Sequence, residues 1–140
     1  MSTPIRFAGL IMLGLIAGCG DASAPLPAYD SRTAFILAGL EVPPEHRDFL
    51  FFDLDPAEGE AAAENLANGL REAASGDEYL VVLGPDAAFN RTTLNAALAR
   101  QSGRSLAGMT LVYLGPAAHR DSVGNHLAGR ELSLRYVVYP

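Results

Sequence analysis

The sequence predicts a small three-layer α/β domain whose mainly parallel sheet of four or five strands is built from βα units. Three observations predict it. From residue 48 onward, short apolar runs alternate with segments of helical period, the pattern of strands linked by crossover helices. The run over 78–83 (EYLVVL) shows no polar alternation, as expected of a strand buried on both faces. The unit also repeats. Residues 79–91 (YLVVLGPDAAFNR) align with 110–122 (TLVYLGPAAHRDS) at a spacing of 31, with six of thirteen positions identical. A looser copy ends in Leu54-Asp55-Pro56, 29 residues before the equivalent Leu83-Gly84-Pro85. A period near thirty also occurs in solenoids, but three unlike copies fit ordinary βα units better.

The elements follow in order. Residues 33–38 (TAFILA) read as a first strand in preference to a short helix capped by Asp30, and Val42-Pro43-Pro44 ends either one, because a residue before proline avoids helical dihedrals. So short a link to the next strand allows one antiparallel edge strand. Residues 47–54 form the next strand. Residues 56–75 read as a helix with Ala63, Leu66, Ala67, Leu70 and Ala73 or Ala74 on one face, Asp55 at its cap, Pro56 in its first turn and Gly76 past its end. After the strand at 78–83, a second helix carries Leu94, Ala97 and Leu98 and stops near Gly103. After the strand that begins at 110, a third helix turns Val123 and Leu127 inward and stops at Gly129, and residues 132–139 (LSLRYVVY) close the sheet. Leu80, Val82, Leu111, Tyr113 and Val137 are the expected sheet core.

The chain has 140 residues, enough for one domain. It carries 16 acidic against 10 basic residues, and every basic residue is arginine. An acidic chain without a basic run is a poor nucleic-acid binder, because phosphate neutralisation supplies most of that affinity. Without lysine there is neither a GK[ST] phosphate loop nor a Schiff-base mechanism.

At the N-terminus, Arg6 precedes an uncharged run from Phe7 to Gly18 (FAGLIMLGLIAG), too short to span a bilayer and the right length for an export signal. Leu15-Ile16-Ala17-Gly18-Cys19 resembles the lipobox of bacterial lipoproteins. That resemblance implies a signal peptide over 1–18, removed on maturation, and a lipid on Cys19, which becomes the first residue. Cys19 is also the only cysteine, so an intramolecular disulfide is impossible in the oxidising compartment to which such a signal leads. The mature chain would keep nine arginines against sixteen acidic residues, a net charge of −7. It would gain little from an anionic bilayer, leaving the lipid to do the anchoring. Residues 20–30 (GDASAPLPAYD) have the composition of a tether with a reach of about 20 Å, unless Leu26 and Tyr29 pack onto the domain. The globular part is then 31–140. Gly20 lacks the aspartate that favours inner-membrane retention, which implies the outer membrane, with the domain facing the periplasm.

In a parallel sheet the βα loops meet at the carboxyl edge, where ligands bind. That edge would present Asp53 and Asp55, then Asp86, Asn90 and Arg91, then His119, Arg120 and Asp121. Asp53, Asp55 and His119 are the candidate catalytic residues; Asp86, Asn90, Arg91, Arg120 and Asp121 are the candidate ligand-binding ones. Residues 51–57 (FFDLDPA) resemble the first motif of haloacid-dehalogenase-like phosphohydrolases. The resemblance implies Asp53 as a nucleophile holding Mg²⁺ and Asp55 as acid/base. The family's Gly-Thr is Pro-Ala here, and its lysine has no counterpart. Read without the resemblance, Asp55 is a helix cap worth about 1 kcal/mol. Gly84-Pro85 and Gly115-Pro116 lack phosphate-loop spacing, and proline has no N–H to offer. His119 and His126, two helical turns apart, cannot share one metal ion, and no serine stands in a GxSxG elbow. The expectation is a domain with neither metal nor cofactor, anchored to the membrane through Cys19. It would bind an envelope protein or a small ligand, with a small hydrolase as the alternative.

Overall fold

The computed structural model describes residues 28–46 and 48–140. Among them β1 (Leu50–Asp53), β2 (Tyr79–Leu83), β3 (Thr110–Gly115) and β4 (Ser133–Val138) form one sheet in sequential order, and every neighbouring pair is parallel. Helices α2 (Glu60–Gly76), α3 (Ala87–Ala99) and α4 (Arg120–Leu127) connect them, and α1 (Ser31–Gly39) precedes β1. The architecture is thus the expected small α/β domain. The expected latitude on strand number and on an antiparallel edge strand resolves to four strands, all parallel.

The register carries the sequence repeat into space. Tyr79 pairs with Thr110, the same 31-residue offset as the sequence alignment. On β1 the offset is thirty, Leu50 against Leu80, one more than the spacing of the Leu-x-Pro ends. Because side chains alternate between faces along a strand, that single step puts Leu54 in the core on one face and Leu83 in the core on the other.

The first element is a helix, not the strand read from residues 33–38. Asp30 caps it, its carboxylate accepting the Thr33 backbone N–H at 3.0 Å and the Thr33 hydroxyl. Ala34 and Ala38, four apart, are the two residues it buries. The Tyr139 hydroxyl pins the helix entry, accepting from the Asp30 N–H at 3.1 Å and donating to the Asp30 carbonyl at 3.2 Å. The local preference of Phe35-Ile36-Leu37 for a strand is overridden by a cap and by a contact more than a hundred residues away. The helix read over 56–75 is likewise divided. Pro56–Glu58 is a single 3₁₀ turn capped by Asp55, Gly59 breaks the chain at φ 57°, and α2 begins at Glu60.

One face of the sheet is covered by α2, α3 and α4. Leu66 and Leu70, Leu94 and Leu98, and Val123 and Leu127 pack there on Leu80, Val82, Leu111 and Tyr113. On the other face Ala34 and Ala38 of α1 lie over Tyr79, Val81, Leu83, Val112 and Leu114. Val137 was expected in the core but is only half-buried, because β4 is an edge strand of alternating exposure. A nine-residue helix about 14 Å long cannot cover four strands. Phe35, Ile36, Leu40 and the edge-strand Phe51 therefore remain 44%, 54%, 76% and 39% exposed.

Candidate functional site

All three connecting helices lie on one face and the strand order never reverses, so the carboxyl edge has no switch-point crevice of the kind doubly wound folds use. Its main cleft forms differently, where the start of α1 leans against the end of β1. An open cleft of about 570 Å³ lies there, lined by Tyr29, Asp30, Ser31, Asp53, Leu54, Asp55 and Pro85. The Tyr29 hydroxyl donates to Asp53 Oδ1 at 3.4 Å, and its ring meets that of Tyr139 edge-on with centroids 5.7 Å apart. Burial raises the Asp53 carboxyl above its ordinary pKa; the Tyr29 hydrogen bond partly offsets this, and the charge of Asp55 adds to it. Burial, then the Asp53 charge, pushes the Tyr29 hydroxyl up in turn. Asp30 moves the opposite way, held down by its hydrogen bonds from Thr33.

Asp53 and Asp55 thus share one cleft, but Asp55 is engaged as a cap, accepting the Ala57 backbone N–H at 2.9 Å. His119 does not join them. It follows β3, two strands from β1, a separation of roughly 10 Å at ordinary strand spacing. It ends the 3₁₀ turn Ala117–His119, with Nδ1 buried and without a hydrogen-bond partner. Asp86 caps α3 through the Phe89 N–H at 3.0 Å.

Arg91 and Arg120 sit at the β3–β4 end of the same edge. Arg91 donates to Ser122 Oγ at 3.4 Å, and Arg120 lies over the Tyr136 ring at 5.5 Å. Tyr136 stacks on Tyr113, centroids 5.6 Å apart, and its hydroxyl donates to the Pro116 carbonyl at 2.6 Å. Burial raises both hydroxyls. Asp121 is exposed in the first turn of α4. The edge is therefore acidic beside β1 and basic beside β4.

The glycines of the two Leu-Gly-Pro strand ends are there for close approach, not for unusual dihedrals. A Cβ on Gly84 would lie 2.6 Å from both Asn90 Oδ1 and the Leu54 carbonyl, and one on Gly115 would lie 2.7 Å from the Tyr136 hydroxyl. Asn90, 1% exposed, folds back beneath the first of these turns and donates from Nδ2 to the Gly84 carbonyl at 3.0 Å.

Tyr29, Asp30 and Ser31 are cleft residues that the sequence reading did not name as candidate site residues. Composition assigned the first two to the tether, and the only local signal was Asp30 placed three before Thr33. Cys19, the lipobox and Leu26 lie outside the described residues. Among the described residues no three His, Cys, Asp or Glu side chains converge closely enough to hold a metal ion, and no helix is long and apolar enough to cross a membrane.

The chain matches no protein-family profile, no curated protein and no solved structure. Its class is defined by the fold alone: a singly wound, four-stranded α/β domain, thickly covered on one face and thinly on the other. Its particular marks are an acidic cleft beside β1 and an apolar patch along α1.

Proposed function

We propose that this chain is a lipid-anchored lipoprotein of the bacterial cell envelope, facing the periplasm, whose domain binds another envelope protein. The anchor rests on Leu15-Ile16-Ala17-Gly18-Cys19 and on the absence of any second cysteine. Gly20 in the second mature position favours the outer membrane.

A single observation carries the binding role: the face left thinly covered. Parallel sheets are ordinarily buried on both sides, yet here Phe35, Ile36, Leu40 and Phe51 are all more than a third exposed. Phe35 meets Phe51 edge-on at 5.0 Å and stacks on the half-buried Phe49 at 6.2 Å, and Ile36 and Leu40, four apart at the end of the same helix, lie on one side of it. A patch of aromatic and aliphatic side chains on this scale marks an interaction surface. Charges of both signs lie near it in the chain, Asp30, Glu45 and Asp48 with Arg32, and Glu41 is paired with Arg135 at 3.8 Å, which suits a partner with an apolar centre and a mixed polar rim.

The test places a photocrosslinking amino acid at Ile36 or Leu40 in cells, with a control at Ala118, far from the patch. The binding role requires one discrete adduct from both patch positions, joined to the same segment of one partner and abolished by Phe35→Asp. Adducts indistinguishable from those at Ala118 would overturn it.

A further inference from the structure

The outer edge of β1 is bare, and its geometry suits a second copy of the same strand. The Leu54 N–H donates to the Leu83 carbonyl at 2.8 Å. Backbone groups alternate sides along a strand, so those of Leu50 and Phe52 face β2 as well. The N–H and C=O groups of Phe51, Asp53 and the flanking Phe49 therefore point out of the sheet. β1 ends the strand order, and among the described residues no backbone hydrogen bond reaches these groups. Such an edge is a template for another strand unless charge, proline or a covering segment blunts it. Leu50-Phe51-Phe52 carries neither charge nor proline, whereas the opposite edge strand, β4, has Arg135 in its middle.

Residues 49, 51 and 53 also share one face. Phe49 packs into the cluster beneath α1, Phe51 meets Phe35 of α1, and Asp53 meets Tyr29. An antiparallel copy centred on Phe51 sets Phe51 against Phe51 and Phe49 against Asp53, each pair exchanging both N–H···O=C bonds. No outward group from Phe49 to Asp53 is then left over. The twofold axis stands normal to the sheet, so both α1 helices lie on one side of it. The two Phe51 residues come to about 5.5 Å apart at Cα. With Phe35 and Phe49 beside them, their rings merge into one aromatic cluster, a favourable cross-strand contact.

Charge selects the same arrangement. An axis at Asp53 would oppose two carboxylates directly, which is unfavourable; with the axis at Phe51, each faces an aromatic residue. α1 starts beside the carboxyl end of β1, where Asp30 and Ser31 share a cleft with Asp53. Arg32 lies one turn from Phe35, on the β1 side of that helix, and Asp48 precedes the amino end of β1. Antiparallel pairing brings Arg32 of one copy to the end of the strand where Asp48 of the other lies. Both are exposed, and neither is paired among the described residues, whose one ion pair is Arg135 with Glu41.

We infer that two copies of this chain pair antiparallel through β1, on an axis at Phe51, into one continuous sheet. The pairing goes beyond the envelope-protein binding proposed above: it uses backbone groups of the edge and leaves Ile36 and Leu40 open.

The test oxidises Phe51→Cys in membranes of cells expressing the full chain, beside the unsubstituted chain, Leu40→Cys and Val138→Cys. Cα atoms at the spacing of opposed strand residues fit a disulfide, so Phe51→Cys should form a disulfide dimer at least tenfold faster than any of the three controls. The purified full chain should sediment in detergent as a dimer. Phe51→Pro removes an outward N–H together with the ring but spares the ladder to β2, and should weaken the dimer at least tenfold. Phe51→Lys, which blunts the edge by charge, should do the same, and it decides the matter should the proline variant not fold. A monomer at every concentration, faster crosslinking at Val138, or a different protein captured at Phe51 in place of a second copy would each overturn the pairing. A monomer that still gives the adducts at Ile36 and Leu40 overturns the pairing alone and leaves the binding role standing.

Discussion

Replacing Gly69 with alanine should destabilise this domain, although the intrinsic preference of helices points the other way. Gly69 lies inside α2, where alanine is ordinarily favoured over glycine by about 1 kcal/mol. Here the Phe52 ring of β1 occupies the space a side chain would need. A Cβ would lie 2.5 and 2.6 Å from two Phe52 ring atoms and 3.3 Å from Leu80 Cδ1. The ring would have to swing out of the core or α2 would have to lift from the sheet, and overpacking of this kind costs about 1–3 kcal/mol. Set against the helical gain, the expected balance is a loss of about 1 kcal/mol, or roughly 4 °C in Tm for a domain near 100 residues. Urea unfolding of the full chain measures it. The decisive comparison is the same substitution in a Phe52→Leu background, where the clash is relieved and Gly69→Ala should become stabilising. A higher urea midpoint for Gly69→Ala in the otherwise unchanged chain would refute the close packing of α2 on β1.

Val82 is fully buried between β1 and β3, so Val82→Asp should abolish cooperative unfolding, an unpaired buried carboxylate costing several kcal/mol; a retained sigmoidal transition would contradict the sheet. Asp55→Asn should be nearly silent and Asp55→Ala should cost about 1 kcal/mol or less, since asparagine also accepts the Ala57 N–H; equal damage from both would point to ionisation at Asp55 instead of capping. The two neighbouring carboxyls should titrate with opposite signs. Burial raises the pKa of Asp53 in the folded chain, so its ionisation opposes folding: Asp53→Asn should stabilise at neutral pH, the gain disappearing below the unfolded pKa near 4. The Thr33 hydrogen bonds lower that of Asp30, so its contribution is present above the unfolded pKa and lost as acid titrates the folded carboxylate, and Asp30→Ala should hurt more at pH 7 than at pH 2. Denaturant midpoints at the two pH values test both, and the same sign at both residues would contradict the hydrogen-bonding assigned here.

The βα repeat was legible because each copy encodes its strand, turn and helix in adjacent residues, and β2 and β3 even keep the register that the alignment implies. What escaped sequence reading depends on distant partners. Phe35-Ile36-Leu37 has strand-like chemistry, and only the Asp30 cap and the Tyr139 hydroxyl, 109 residues from Asp30, make it part of a helix. Tyr29 was read as tether unless it packed onto the domain; it does pack there, with Asp53 as its partner. For Gly84 and Gly115 the sequence showed only the lack of phosphate-loop spacing. Crowding against Asn90, Leu54 and Tyr136 is what excludes a side chain there, and no local pattern announces it. The candidate site residues lie along the carboxyl edge, but topology divides them, Asp53 and Asp55 at one end and Arg91, His119 and Arg120 towards the other.

The most direct measurement is the mass of the mature N-terminal peptide of the protein purified from bacterial membranes. A lipid-anchored envelope protein predicts a peptide that begins at Cys19, carries a diacylglyceryl thioether and amine acylation, and is lost from the membrane fraction in Cys19→Ala. An unmodified peptide beginning at Pro25, or a chain that still begins at Met1, would contradict it.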